Sequence, residues 1–289
     1  MYLADTGSAL GLLLNFYKFA TAEERRRIDA SLDRYVDLVL VKGDSTGKPF
    51  VHADGSLGVG FKSYRDGKAA GNLNKPYIIS TALTGAEVFA ALHYLRGNES
   101  HQKVAMKACD WMFGTMGPKG DFPYIIEDFN PGGKKQADYW QKYAYTTSAY
   151  VGEGLIQAWT YLDDPAFRRN LEVRIAPHIQ WLLETQNADG SWGVSDTFDD
   201  YRSHGVVNLL IWYHDHVRPD PQIARAIRRY YLLLLDDGRT SYRTVASREI
   251  RKPASPRSVP VDYVATCLAG RALAEIVRPD VDCYRWKKE

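Results

Sequence analysis

The chain contains nearly the same eight-residue turn twice. The segments ADGSLGVG (residues 53–60) and ADGSWGVS (residues 188–195) match at six of eight positions and lie 135 residues apart. Four such turns share a key glycine, at Gly55, Gly120, Gly190 and Gly238, with spacings of 65, 70 and 48 residues. Recurrence of one unit is typical of repeat architectures, in which each unit buries its apolar face against its neighbours.

Two kinds of predicted helix alternate around these turns. One kind is charged along one face and starts with a capping signal, such as Thr21 with Glu24 or Asp164 with Pro165, and we expect it on the outside. The other kind is rich in Ala, Gly, Ser and Thr, and we expect it to be buried on most sides. Its members are ADTGSALGLLLNFYKFA, YIISTALTGAEVFAALHYL, YTTSAYVGEGLIQAWTYL, SHGVVNLLIWYHDHV and VDYVATCLAGRALAEIV.

One short motif and the overall pattern resemble a known superfamily. QNADGSWG places Gln186, Gly190 and Trp192 in the spacing Q-x-x-x-G-x-W, which is similar to the QW motif of squalene–hopene cyclases and their relatives. The whole pattern resembles the α/α-toroid superfamily, which also includes several polysaccharide lyases and, with more hairpins, glycosidases. We therefore predict an all-α fold, one domain over residues 1–289. The expected architecture is an incomplete (α/α)5–6 barrel or toroid of inner and outer helices. Short hairpins from residues 44–76 are expected at one mouth of this barrel.

The predicted functional site lies where the inner helices begin, because every long connection precedes an inner helix. The densest polar stretch there is SDTFDDYRSHGVVN. His204 can shuttle a proton near neutral pH, Arg202 can hold a carboxylate, and Asn208 lies one helical turn beyond His204. Asp199 and Asp200 are either helix caps or catalytic acids.

A second stretch, DYWQKYAYTTSAY, surrounds another helix start with aromatic residues. Its aromatic residues are Tyr139, Trp140, Tyr143 and Tyr145. Aromatic faces stack on sugar rings or isoprenoid cations, and they also pack between helices. The other connections supply further candidate substrate-binding residues, namely Asn74, Lys75, Tyr77, Tyr201, Asp262 and Tyr263.

The favoured function is that of a carbohydrate-active enzyme, a uronate-directed polysaccharide lyase. The resemblance implies a tyrosine and a histidine as acid and base, with Asn or Arg neutralising the uronate carboxylate. The fitting catalytic residues are His204 with Tyr143 or Tyr145, and the fitting binding residues are Arg202 and Asn208. Uncharged hydrogen-bonding groups and stacking aromatics agree with a saccharide substrate.

Three alternatives stay open. A terpene-type cyclase is suggested by the QW motif, but DTFDD has one residue more than the D-x-D-D motif of that family. A glycoside hydrolase needs two carboxylates, for which Glu153 with Asp199 or Asp200 is the best pair. The third alternative is a toroid that binds a partner without catalysis.

Composition and motifs limit the partners. The net charge of +2 is too small to favour nucleic acid, and no apolar run reaches the about 18 residues that a membrane span needs. The sequence has no P-loop, no G-x-G-x-x-G and no G-x-S-x-G, and His214 and His216 stand two residues apart, a spacing that does not share a helix face. We therefore expect no cofactor and no metal.

The remaining features concern redox state and location. The cysteines Cys109, Cys267 and Cys283 have no C-x-x-C spacing and are predicted to be buried free thiols. The first 20 residues lack a basic n-region and a cleavage site. The protein is therefore expected in the cytoplasm, or outside after removal of a signal; the sequence leaves its oligomeric state open.

Overall fold

Helices make up most of the protein. The computed structural model describes residues 3–17, 19–61, 72–124, 136–193 and 203–236. Eight helices follow one another there: α1 (Leu3–Phe16), α2 (Ala22–Asp37), α3 (Ile78–Arg96), α4 (Glu99–Thr115), α5 (Gln136–Tyr161), α6 (Pro165–Glu184), α7 (Ser203–Trp212) and α8 (Pro221–Asp236). Three stretches have π-helical geometry: Leu38–Lys42 after α2, Thr81–Val88 within α3, and Tyr213–Val217 after α7. The all-α prediction is confirmed for the described residues.

Two helix starts predicted from the sequence are confirmed, whereas the start predicted at Tyr145 is wrong, because α5 begins at Gln136. At α2 the Thr21 side chain accepts the Glu24 amide while the Glu24 carboxylate accepts the Thr21 amide at 2.8 Å, which is a capping box. At α6 the Asp164 carboxylate accepts two backbone amides, and Pro165 occupies the first turn, where its missing amide hydrogen costs nothing. Local chemistry therefore sets where these two helices begin.

Four helices pack on one another in chain order. α1 contacts α3, α3 contacts α5, and α5 contacts α7, and we call these odd-numbered helices the inner helices. Glycines allow the close approach: a β-carbon at Gly7 would lie 2.6 Å from Thr84 Oγ1, and one at Gly154 would lie 2.6 Å from the Ala82 carbonyl oxygen. Residues 78–92 of α3 are all buried. The prediction of buried, small-residue helices is confirmed for α3.

The even-numbered helices, which we call the outer helices, each keep one face in solvent. On α8, Arg225 and Arg229 are exposed, while Ile223 and Ala226 are buried. This division follows the amphipathic pattern of the sequence, because only the apolar side of such a helix gains free energy from burial. The prediction that the charged helices lie outside is confirmed.

The inner helices all run in the same direction. In each neighbouring pair, moving toward the C-terminal end of one helix also moves toward the C-terminal end of the other. The successive contacts are Gly7–Thr84 and Gly11–Glu87 for α1 and α3, Ala82–Gly154 and Tyr94–Tyr161 for α3 and α5, and Ala149–Gly205 and Gly152–Leu209 for α5 and α7. Each outer helix that connects two of these inner helices returns the chain to the starting end. The N-terminal ends of all four inner helices therefore lie at one end of the described fold.

The first inner helix has an uncovered apolar face. Leu12 is 72% exposed, and Leu13, Phe16 and nearby Phe19 are also exposed. These residues lie opposite the side of α1 on which Gly11 packs against α3. Among the described inner helices, α1 therefore stands at one end of the packed row.

Three glycine turns repeat the same backbone geometry after successive outer helices. The turns span residues 52–56, 117–121 and 187–191. In each turn, the amide of the first residue donates to the carbonyl of the fifth, and the amide of the fourth residue, the glycine, donates to the carbonyl of the first. The φ angles of Gly55, Gly120 and Gly190 are 96°, 89° and 94°, a region that only glycine adopts readily. The turn predicted at Gly238 lies outside the described residues.

Each glycine turn also packs on the next outer helix of the chain. A β-carbon at Gly190 would lie 2.6 Å from the carbonyl carbon and oxygen of Arg229 in α8. Gly55 approaches the Lys107 backbone of α4, and Gly120 approaches Pro177 of α6, in the same way. The near-identical octapeptides thus mark the same contact between one helical hairpin and the next.

One short hairpin precedes α3, as predicted within residues 44–76. Strand β1 (Gly58–Phe61) pairs antiparallel with strand β2 (Asn72–Pro76). The Leu57 amide donates to Thr81 Oγ1 at 2.9 Å, and the Tyr77 amide donates to the Leu57 carbonyl at 2.8 Å. The hairpin is therefore fixed to the start of α3.

We expect a buried histidine to make the stability of this fold depend on pH. His178 of α6 is fully buried, and its Nδ1 donates to the Gly120 carbonyl oxygen at 2.8 Å. Burial lowers the pKa of His178 from 6.5 to about 4, although the hydrogen bond to Gly120 opposes this shift. Because the unfolded chain binds the proton more readily, its contribution to stability is complete above pH 6.5 and is lost as the pH falls to 4. We expect a loss of roughly 3 kcal/mol over this window.

The control for this prediction is His178→Gln, whose amide can still donate to Gly120 but does not titrate. Urea unfolding of both proteins at several pH values between 4 and 7 measures the effect. Subtracting the variant's curve removes the contribution of the carboxylates. Equal pH dependence in the two proteins would contradict the assignment to His178.

Candidate functional site

Besides Glu153, the structure describes the side chains of five predicted site residues. They are Asn74, Lys75, Tyr77, Tyr145 and Asn208. Of four others only the helical backbone is described: Tyr139, Trp140 and Tyr143 belong to α5, and His204 belongs to the first turn of α7. The remaining predicted residues lie outside the described residues: Asp199, Asp200, Tyr201, Arg202, Asp262 and Tyr263.

Asn74 is held by protein groups around the hairpin. Its amide nitrogen lies 2.9 Å from Asp44 Oδ2 and also contacts the Pro49 carbonyl, while its Oδ1 lies 2.9 Å from His52 Nε2. The other ring nitrogen of His52 lies 2.8 Å from Ser56 Oγ. Asn74 therefore ties β2 to the preceding loop.

The two described tyrosines from the predicted site pack against aromatic partners. Tyr77 donates its hydroxyl to that of Tyr124 at 3.4 Å, and the rings meet edge to face. Tyr145 stacks on Trp181 of α6, with ring centroids 5.1 Å apart. The Tyr145 ring thus lies between an inner and an outer helix. Lys75 is exposed.

Contacts of α5 define three of its faces. Ala149 and Gly152 meet α7, and Gly154 meets α3. On the side of α6, the indole Nε1 of Trp159 donates to Glu172 Oε1 at 2.8 Å. A fourth face, directed away from the outer helices, carries five residues spaced by four, three, four and three positions. These residues, which we call the polar face of α5, are Thr146, Tyr150, Glu153, Gln157 and Thr160.

The polar face differs sharply from the opposite side of the same helix. Opposite it lie apolar residues such as Val151 and Leu155, both fully buried. On the polar face, Tyr150 and Glu153 are only half-buried, so water reaches them. A helix inside a core keeps polar residues on one whole face only where that face meets other polar groups, solvent or a ligand. We therefore take the polar face of α5 as the described part of the candidate site.

Asn208 of α7 joins this face. The contacts Ala149–Gly205 and Gly152–Leu209 place it at the level of Tyr150 and Glu153 along the parallel helices. The same contacts fix the rotation of α7, so that Asn208 lies on the side toward which the polar face of α5 is directed. It is 5% exposed, and its Oδ1 has no hydrogen-bond partner among the described residues. His204 precedes it by one turn of the same helix.

Tyr150 and Gln157 were not predicted as site residues. The signal that could have found them is the run of polar residues at helical spacing within YTTSAYVGEGLIQAWTYL. That spacing defines a polar stripe, but it does not tell whether the stripe faces an outer helix or is directed away from the outer helices. Only the contacts of α5 with its neighbours decide this.

The QW-like motif has a structural role. Gln186 donates its amide to the carbonyl oxygens of Gly190, at 3.0 Å, and Ala226 of α8, at 2.8 Å. Trp192 is fully buried, and its Nε1 donates to the Leu182 carbonyl at 2.8 Å. The motif therefore ties the end of α6, the glycine turn and α8 together, and its residues are committed to the fold.

Other features singled out in the sequence have ordinary structural surroundings. His214 Nδ1 lies 2.8 Å from Asp215, and His216 packs against the Trp159 ring. No group of three or more potential ligands able to hold a metal ion occurs among the described residues. Cys109 is a buried free thiol, as predicted, and burial raises its pKa. Cys267 and Cys283 lie outside the described residues.

One helix in the described part of the chain, Ile78–Arg96, is long and apolar enough to cross a membrane. Of its most apolar window, 83% is buried inside the fold, as in the core helix of a folded domain.

No protein-family model matches the chain, and no curated protein matches it. The described residues thus define an all-α protein of repeated helical hairpins with a polar, partly hydrated face on an inner helix.

Proposed function

We propose that the helical hairpins form an α/α toroid. The parallel inner helices, the outer helices on one side of them and the three equivalent glycine turns support this arrangement. In such a fold the interior of the ring and the N-terminal ends of the inner helices form the natural cavity. The polar face of α5 would line that interior.

We propose further that the protein is a carbohydrate-active enzyme, a uronate-directed polysaccharide lyase. The observation that supports it is the polar face of α5 together with Asn208. A sugar chain offers hydroxyls in every direction, and tyrosine, carboxylate and amide groups match them. An isoprenoid offers none, and the QW-like residues are occupied within the fold, so no observation favours the cyclase alternative.

The proposed reaction is a β-elimination. A base removes the proton next to the uronate carboxylate, the glycosidic C–O bond breaks, a C=C bond forms, and the departing oxygen takes a proton. The enolate-like anion needs a cation or an amide beside it, for which Arg202 and Asn208 are the candidates. His204 and a tyrosine act as base and acid. Among the tyrosines of α5, Tyr150 shares a face with Glu153, while Tyr145 stacks on Trp181.

A glycoside hydrolase is the second candidate, supported by Glu153. This carboxylate lies in the middle of the polar face and is half-buried. A hydrolase needs a second carboxylate, for which Asp199 and Asp200 are the candidates. The two reactions give different products, because hydrolysis adds water and leaves no C=C bond.

Incubation with alginate, polygalacturonate, glycosaminoglycans and neutral polysaccharides tests the proposal. We expect ultraviolet absorbance from the unsaturated uronate to rise together with new reducing ends. New reducing ends without absorbance would replace the lyase by the hydrolase. Neither signal on uronate and neutral polysaccharides would contradict a carbohydrate-cleaving function.

A further inference from the structure

Two buried polar atoms on α7 have no hydrogen-bond partner among the described residues. They are Asn208 Oδ1 and Trp212 Nε1, and their residues are 5% and 3% exposed. Asn208 and Trp212 are four positions apart, so they lie one turn apart on the same side of the helix. Trp212 also packs edge to face on Trp159, which places it where α7 meets α5.

The chemistry of these two atoms restricts what can satisfy them. An indole N–H only donates a hydrogen bond, and an amide oxygen only accepts one. A single group that bridges them must therefore accept and donate at once, which a hydroxyl does. A hydroxyl would also satisfy the Asn208 amide if its nitrogen and oxygen were exchanged. A hydrocarbon ligand could satisfy neither atom.

The neighbouring face of α5 offers a third group of the same kind. Gln157 is 2% exposed, and its Oε1 has no partner among the described residues. It lies one turn beyond Glu153, which is half-buried, so the layer that contains these groups is reached by solvent. Leaving a buried polar group unsatisfied is costly, and several such groups on one side of two adjacent helices indicate a ligand that supplies the missing bonds.

We propose that Asn208, Trp212 and Gln157 form a subsite that binds the hydroxyl groups of a saccharide between α5 and α7. This assignment rests on the proposed carbohydrate function and adds the residues that recognise the sugar. The subsite lies deeper along the helices than His204, so it would hold a sugar ring beside the reacting bond. None of the three groups is charged, so these three groups by themselves do not distinguish neutral from acidic sugars.

Trp212→Phe tests the subsite, since it removes the N–H and keeps an aromatic ring. Calorimetric titration with oligogalacturonate, alginate oligosaccharides and cello-oligosaccharides measures the affinity, in a His204→Ala background so that turnover does not consume the ligand. We expect the dissociation constant of the saccharide that binds to rise about five- to tenfold. We expect the midpoint of urea unfolding without ligand to fall less than in the control described below, because both variants lose the packing of the larger ring but only the control loses a hydrogen bond that the fold already makes.

Trp192→Phe is the matched control. The Trp192 N–H is already bonded to the Leu182 carbonyl at 2.8 Å, so its loss should lower the unfolding midpoint and leave saccharide affinity unchanged. If Trp212→Phe behaves in this same way, the N–H serves the fold through a buried water, and the subsite is refuted. Absence of binding by every saccharide would also refute it.

The outcome separates this subsite from the proposed enzyme activity. Saccharide binding that is weakened by Trp212→Phe, without any cleavage by the wild-type protein, would support the subsite and contradict the enzyme. Cleavage by the wild-type protein, with affinity insensitive to Trp212→Phe, would support the enzyme and contradict the subsite.

Discussion

Replacing Gly190 with alanine is expected to lower the free energy of unfolding by roughly 4 kcal/mol, because two costs add at this position. The φ angle of Gly190 is 94°, which is unfavourable for any residue with a β-carbon. In addition, that β-carbon would lie 2.6 Å from the carbonyl of Arg229, so the turn must move away from α8. Such a shift also strains the hydrogen bonds of Gln186 to Gly190 and Ala226.

Gly47→Ala separates the two costs. Gly47 has a φ of 79°, but no atom lies within 4 Å of the position of its β-carbon. It should therefore lose only the conformational part, about 1–2 kcal/mol. Urea unfolding followed by circular dichroism measures both variants. Equal losses at Gly47 and Gly190 would show that the contact between the turn and α8 contributes nothing.

His204→Ala is expected to reduce polysaccharide cleavage by on the order of 10²-fold or more while the helical content stays the same. The reason is that a histidine is the side chain best suited to move a proton near neutral pH, and His204 lies in the first turn of the helix that carries Asn208. The initial rate of product formation on the substrate that the wild-type protein cleaves is the measurement.

A second histidine associated with the same helix provides the control. His214 lies in the π-helical stretch after α7, and its ring is paired with Asp215. His214→Ala should leave the rate of cleavage nearly unchanged. Loss of activity in both variants to the same degree would assign the effect to the stability of α7, and full activity of His204→Ala would remove His204 from the mechanism.

The sequence predicts those features that depend on a few adjacent residues. The capping box of Thr21 and Glu24 and the cap at Asp164 are formed by side chains and amides within one turn, so their spacing is sufficient. The glycine turns are predicted for a similar reason, since Gly120 and Gly190 adopt backbone angles that other residues avoid. Burial of α3 follows from its small number of charged residues and its many apolar and small ones.

The side of an inner helix on which a polar residue lies depends on neighbours distant in the sequence. Tyr145 and Tyr150 are five residues apart and equally suited to bind a sugar, yet Tyr145 stacks on Trp181 while Tyr150 lies on the polar face of α5. The periodicity of a helix gives the angle between two side chains around the helix axis. It does not tell which neighbouring helix each side chain contacts. Asn74 shows the same limit: an asparagine suited to a substrate is bound instead to Asp44 and His52.

The sequence by itself thus determined the all-α class, the two kinds of helix and the turns between them, because these follow from local propensity and apolar periodicity. Only the tertiary structure decided that the QW-like residues hold α6 to α8, and on which side of α5 its polar face lies. Each of these depends on contacts between residues distant in the sequence, such as Gln186 with Ala226 and Gly152 with Leu209. Such contacts depend on how whole helices pack, and packing is a property of the assembled fold.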